Sequence, residues 1–467
     1  MKRILFLLSV LPLFCFAQKD GYSIKIRIKP LKDSVLYFGN YYGDKQYVKD
    51  TARIDANGNA VFDGKEKLPG GIYLVVLPSK KFMEVIVDKE QNFSLETDTN
   101  DLVRKMNVKG SEDNKLFYKY LSFIADRQKD ADPLRKKLEK TKDKDSIKTL
   151  QEQLGAIDKK VKDYKADYVK EHSETLLAKV FTASQDPEVP KAPILPNGRP
   201  DSLFTFLYYK SHYFDNVDFS DDRLLRTPVL YNKMKYYLDK LVLQLPDSII
   251  KEADMIIGRT NGNKETFKYC VYYCTYTYET SPYMGMDAVF VHMVNKYYKT
   301  GQAYWVDEEN LKKILDKAKI LEPLLIGKTA PPLFLPDTLA KVTGFTNIKS
   351  PYLILYFWDP ECGHCKKATP KLKAFYDKFH SKGFEVYAVD IEENREEWLK
   401  YIREHNLNWV NVTNAEHRYY LKEYYDVYST PVIYLLDENK KIIAKRIDAD
   451  QLEGFVTNML KQKEKKK

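Results

Sequence analysis

The sequence predicts a multidomain protein in three parts: an N-terminal all-β sandwich, an α-helical middle domain and a C-terminal α/β domain. Three observations carry this. Ser23 to Lys29 alternates Ile24, Ile26 and Ile28 with Lys25, Arg27 and Lys29, the period of two of a half-buried strand. Asp132 to His172 is dense in charge, with a thin apolar stripe at helical spacing. Tyr352 to Trp358 is an unbroken apolar run that leads straight into helical periodicity, as a buried parallel strand and its following helix would. With 467 residues, 44% of them hydrophobic, the chain has material for more than one core.

Residues 1–17 read as a targeting segment. Met1-Lys2-Arg3 is positive, Ile4 to Phe16 is apolar but too short to span a bilayer, and Cys15-Phe16-Ala17 places small residues for cleavage before Gln18. Cys15 raises the alternative of a lipid anchor, which bulky Leu13 and Phe14 fit badly. The expectation is a soluble protein exported to the periplasm or cell envelope, where disulfides form and persist. The net charge of +10 is concentrated at the ends. Lys2 and Arg3 hold +2 and the tail Lys461 to Lys467 holds +4, leaving about +4 for the body. That balance gives no nucleic-acid surface, and for the tail at most a weak membrane-surface contact.

Residues 18–105 form the predicted sandwich, of six to eight strands. Ala56-Asn57-Gly58-Asn59 predicts a hairpin turn, and Ile72 to Leu77, Phe82 to Val87 and Asn92 to Thr97 read as strands. This part has no Cys and no His, which suits a scaffold or docking domain.

Residues 106–322 form the helical part. Ser111 with Asn114 starts a helix, and Leu134, Leu138, Ile147, Leu150, Leu154, Ile157, Val161 and Tyr164 line a long exposed helical hairpin. Acids interleave with its bases, against nucleic-acid binding. Asp186 to Pro200 holds five prolines and reads as a loop. Cys270 and Cys274 stack on one helix face. Two small apolar residues in a helix–helix contact is the plain reading; a second redox pair relaying electrons is the sharper one. His292, set in Val289-Phe-Val-His-Met-Val294, reads as a core histidine.

Residues 324–467 carry the chemistry. Asp359 and Pro360 end the apolar strand, and Leu372, Phe375, Tyr376 and Phe379 mark the helix that follows, with Pro370 expected to kink it. Cys362 then lies at the helix N-terminus, where free N–H groups and the macrodipole favour a thiolate. Cys365, one turn on, is placed to resolve a mixed disulfide. His364 adds charge near the thiolate and tunes the potential, and Gly363 permits close approach. A zinc site needs a second ligand pair, and Cys270 and Cys274 are some ninety residues away. A structural disulfide is the other plain reading of the pair.

Phe357-Trp358 ahead of Cys362-Gly363-His364-Cys365 resembles the active site of the thioredoxin superfamily, and the Gly-His dipeptide is similar to that of protein disulfide isomerase. The opening Gly327-Lys-Thr-Ala-Pro-Pro-Leu-Phe334 resembles the TlpA/ResA group of extracytoplasmic thioredoxin-like proteins. The first two parts look like the domains of undefined function in exported proteins of the Bacteroides type. The resemblance implies that Thr430-Pro431 is the cis-proline, that Thr430 and Pro431 line the substrate groove, and that Trp358 belongs to that groove and shields the pair. It implies protein dithiols or disulfides as substrates, a redox partner that recycles the cysteines, and no metal or organic cofactor. Two positions depart from the pattern: Ala368 replaces an acid often found three residues after the second cysteine, and Tyr356 stands where thioredoxin has a buried aspartate. The proton acceptor for Cys365 is therefore unassigned, with Asp359 and Glu361 as candidates. Asp359 three residues before Cys362 argues against a peroxidase, which places Thr or Ser there. The leading expectation is a thiol–disulfide oxidoreductase. The competing class is a non-catalytic binding or scaffold protein with an appended redox-type domain. Gly-His favours an oxidase or isomerase, and the TlpA resemblance favours a reductase.

Overall fold

The computed structural model describes residues 21–392 and 394–465, so the expected targeting segment lies outside the described residues. The chain divides into two compact units. One holds the described residues up to 241 together with 260–266; the other holds 242–259 and everything from 267 onward. The helical region is thus shared between the two.

In the first unit the alternation at Ser23–Lys29 becomes β1 (Tyr22–Lys29), with Ile24, Ile26 and Ile28 buried and the lysines outside. Seven more strands follow: β2 (Val35–Tyr42), β3 (Lys45–Arg53), β4 (Asn59–Gly64), β5 (Gly71–Val76), β6 (Phe82–Val87), β7 (Asn92–Asp98) and β8 (Asn107–Lys109). They form two four-stranded sheets, in the orders β4-β1-β7-β8 and β3-β2-β5-β6. Phe38 of β2 stacks on Phe62 of β4 at 4.9 Å and on Tyr73 of β5 at 5.0 Å, which joins the sheets through their apolar faces. The expected hairpin at Ala56–Asn59 is a correction. Gly58 takes φ +84° and the Asp55 carboxylate accepts the N–H groups of Asn57 and Asn59, so a tight turn is there. The strands it joins, β3 and β4, lie in different sheets, because β3 pairs with β2 and β4 with β1.

Ser111 caps α1 (Glu112–Lys140), accepting the Asn114 N–H at 3.2 Å, and Asp143 caps α2 (Lys144–Glu171). The two pack as a hairpin that starts well ahead of the charged stretch the sequence marked. Three shorter helices complete the unit's α-helices: α3 (Leu176–Ala183), α4 (Phe204–His212) and α5 (Pro228–Tyr236). Ahead of α5, Arg223 donates to Asp88 at 2.7 Å and Asp221 at 2.6 Å, clamping this segment to the end of β6. Gly71 is required here, since a Cβ on it would stand 2.3 Å from the Arg226 Cβ.

The second unit contains α6 (Pro246–Gly258), α7 (Lys264–Glu279) from Phe267 on, α8 (Asp287–Met293), α9 (Glu308–Leu321) and the C-terminal α/β domain. In that domain a short hairpin of β9 (Phe334–Pro336) and β10 (Val342–Gly344) precedes β11 (Tyr352–Trp358), α10 (Gly363–Phe379) and β12 (Phe384–Asp390). Then come α11 (Arg395–Glu404), β13 (Val410–Thr413), α12 (Leu421–Tyr425), β14 (Val432–Asp437), β15 (Ile442–Lys445) and α13 (Ala449–Glu464). The sheet order is β13-β12-β11-β14-β15, with β11 central, parallel to β12 and antiparallel to β14. Ile354, Tyr356 and Trp358 enter the core on one face, and Leu353, Leu355 and Phe357 the core on the other. Burial on both faces is why β11 reads as an unbroken apolar run.

Candidate active site

The site forms where β11 hands over to α10. Asp359 shapes the turn: its carboxylate accepts the N–H of Glu361 at 2.6 Å and of Cys362 at 3.2 Å. Cys362 is the N-cap of α10, with φ −65° and ψ 123°, and is partly exposed. Its Sγ lies 3.5 Å from the Thr430 carbonyl, across a Thr430–Pro431 bond that is cis. Partial burial pushes the Cys362 thiol up. The backbone N–H groups of Cys365 and His364 and the contact at Thr430 outweigh that, so it lies below the ordinary thiol range. Cys365, fully buried one turn on, is pushed up to about 12, chiefly by desolvation. One sulfur is therefore part-exposed with a lowered pKa, the other sheltered and protonated, the division a nucleophile and a resolving thiol need.

The other expected site residues distribute unevenly. His364 is exposed and its backbone N–H reaches Cys362. Gly363 has no positive φ, and a Cβ there meets nothing within 4 Å. The fold does not need glycine at 363; what its smallness leaves open is the surface beside Cys362. Thr430 and Pro431 are half-buried and face Cys362. Trp358 is a correction. It is fully buried, with its ring 5.3 Å from Tyr401, so it supports the site from below and lines no groove. Asp359 acts through its turn hydrogen bonds, and Glu361 is exposed.

Two features escaped the sequence reading. Tyr356, at the position of the missing aspartate, bonds Thr369 Oγ at 2.8 Å, and Thr369 donates to the Cys365 carbonyl at 2.9 Å. All three residues are fully buried. Asp390 ends β12 beside Trp358, accepts from Thr413 Oγ at 2.9 Å, and is also fully buried. Desolvation pushes its carboxyl up to about 7. The signal for it was present: an acid closing a strand whose other residues, Glu385 apart, are all buried apolar ones. Among the described residues, no group of three or more His, Cys, Asp or Glu side chains is arranged to hold a metal ion.

Cys270 and Cys274 lie mid-helix on α7 and are fully buried. Desolvation pushes Cys274 up to about 12 and Cys270 well above the thiol range. His292 contacts the Asp254 carboxylate at 3.0 Å, which also accepts from Lys296 and Tyr297.

Residues 350–442 match the family model described as Thioredoxin-like, whereas residues 22–117 and 146–321 match two domains of unknown function, DUF4369 and DUF5106. A thiol-disulfide oxidoreductase ResA of Bacillus cereus is 27% identical over 138 residues, 29% of this chain and 79% of that protein. The crystal structure of a domain of possible thiol-disulfide isomerase from Cytophaga hutchinsonii is 44% identical, covering 31% of this chain and 98% of that one, with a TM-score of 0.29. A thioredoxin-like protein from Bacteroides caccae is 20% identical, covering 58% of this chain and 99% of that one, with a TM-score of 0.45. No helix among the described residues is long and apolar enough to cross a membrane.

Proposed function

We propose that this chain, a thioredoxin-like oxidoreductase through its C-terminal domain, is an extracytoplasmic enzyme that exchanges disulfides with protein substrates through Cys362 and Cys365. The observation that carries this is the asymmetry of the pair: Cys362 part-exposed at a helix N-terminus against Thr430, Cys365 buried behind it. As a disulfide donor, Cys362 is attacked at Sγ by a substrate thiolate, and Cys365 leaves as thiolate and takes a proton. A second substrate thiolate then displaces Cys362, which departs stabilised by the helix N–H groups. As a reductase the same steps run backwards, with Cys362 attacking and Cys365 resolving. Export rests on the targeting pattern of residues 1–17.

The reduction potential of the pair, from glutathione-buffer titration with thiol trapping, decides the direction. A value near about −120 to −180 mV makes the protein an oxidase or isomerase and assigns His364 a tuning role; about −270 mV or below makes it a reductase. No exchange by the wild-type protein in either insulin reduction or RNase refolding would sink the enzymatic reading.

A further inference from the structure

Within the second unit a cleft of about 910 Å³ opens between the segment 278–287, α9 and the residues that lead from α12 to Pro431. It is a built feature. Lys445 at its floor is 5% exposed, pairs with the Asp287 carboxylate and donates to the Leu324 carbonyl at 2.9 Å. Lys317 pairs with Glu279 at 2.8 Å on one wall, and Arg446 pairs with Asp426 at 2.5 Å on the other.

Two properties of this cleft point to an occupant. First, its walls expose large apolar side chains: Tyr283 is 65% exposed, Tyr428 64% and Met284 38%. Such groups are kept in water at a cost unless something covers them. Second, its charge is unbalanced. Each lining base has an acidic partner, with Lys313 held by Glu309 in addition to the three pairs above. The carboxylates of Asp316 on α9 and Glu423 on α12 form no ion pair among the described residues. One lining residue stands close to the redox site in the chain. Tyr428 is two residues before Thr430, so their Cα atoms are at most about 7 Å apart, and the Thr430 carbonyl faces the Cys362 sulfur.

Resting on the oxidoreductase reading, we propose that this cleft docks the substrate polypeptide next to its reacting cysteine, and that it selects an extended segment bearing basic and aromatic side chains. Tyr283, Met284 and Tyr428 take the aromatic groups; Asp316 and Glu423 take the cations.

The test separates docking from redox chemistry. A fluorescent decapeptide of alternating Lys and Tyr, without cysteine, is titrated into the full chain by anisotropy, beside a peptide with Glu in place of Lys. The Lys/Tyr peptide binds, the Glu/Tyr peptide binds at least about tenfold more weakly, and the double variant Asp316→Lys, Glu423→Lys loses about tenfold for the Lys/Tyr peptide. Tyr283→Ala, at a position 65% exposed, weakens both peptides. Equal binding of the two peptides, or binding unchanged in the variants, overturns the proposal. Exchange with glutathione disulfide is measured on the same samples. If that fails in the wild type while the peptide binds as expected, the oxidoreductase reading falls and the cleft remains a peptide site. If exchange proceeds and a Lys/Tyr peptide carrying a disulfide shows the same KM in wild type and double variant, the cleft plays no part in substrate choice.

Discussion

Cys362 and Cys365 stand at the start of α10, and Cys270 and Cys274 stand in the middle of α7. Both pairs lie on helices, yet their surroundings differ. Spacing is the first difference. Residues four apart within a helix hold their Cβ atoms about 5–6 Å apart, beyond the roughly 3.5–4.5 Å of a disulfide. Cys362 escapes that geometry because it is the N-cap, with extended rather than helical dihedrals. Electrostatics is the second. The Cys362 sulfur meets unsatisfied N–H groups, whereas in mid-α7 those groups are spent on the helix itself and Cys274 has the Asp254 carboxylate among the causes raising it. The same residue type is therefore a part-exposed thiol of lowered pKa in one place and a small core side chain in the other.

The widest separation is expected in activity. Cys362→Ser should lose insulin reduction or RNase refolding by about 10³-fold or more, since no other group supplies the attacking sulfur. Cys270→Ala and Cys274→Ala should stay within about twofold of wild type. A large loss in either would revive the electron relay and break the comparison.

Next come two carboxyls, Asp390 at the end of β12 and Asp254 near Cys274, which should move stability with pH in opposite directions. Asp390 keeps its proton to about 7 in the folded chain against about 3.8 when unfolded. The folded state binds more protons across that interval, so this group's contribution is present below pH about 4 and is lost as pH rises to about 7. Asp390→Asn should therefore flatten the decline and stabilise the protein above pH 7, by at most about 4 kcal/mol. Asp254 runs the other way. Burial raises its carboxyl, but Lys296, Tyr297 and His292 outweigh that and hold it below the usual range. Its contribution is present above the unfolded pKa and lost as pH falls through the lower folded value. Asp254→Asn should accordingly destabilise at neutral pH. All four tryptophans, Trp305, Trp358, Trp398 and Trp409, lie in the second unit, so urea unfolding followed by indole fluorescence between pH 4 and 8 reads both variants.

What could be read in advance follows from where each signal resides. β11 and α10 were legible because the run from Tyr352 to Phe379 switches from continuous burial to helical period, and Cys362 fell at the switch. The sandwich was legible from the alternation in β1. The corner at Gly58 was misread as a hairpin because turn residues fix local geometry but not the sheet each flanking strand joins. Trp358 was placed in the groove because its motif neighbours are there, although strand alternation carries it to the buried face with Tyr356. Asp390 and Thr369 went unseen since each earns its role from a partner on another element, Asp390 from Thr413 and Thr369 from Tyr356.

The finest test uses a device that α10 and α7 share. Thr369 follows Cys365 by four residues and donates to the Cys365 carbonyl, with the Tyr356 hydroxyl bonded to it. On α7, Thr275 donates to the Val271 carbonyl at 2.7 Å, and the Tyr298 hydroxyl meets it in turn. Tyr356→Phe and Tyr298→Phe each remove one hydroxyl and should each cost about 1 kcal/mol in urea unfolding, because Phe keeps the shape and the threonine keeps its own bond. Their redox effects should diverge. Only the first chain ends on the carbonyl of a cysteine proposed to react, so Tyr356→Phe should shift the midpoint of the glutathione titration and Tyr298→Phe should leave it in place. Equal shifts from both would mean that the titration reads stability of the whole unit, and the difference between the two cysteine pairs would then rest on Cys362 alone.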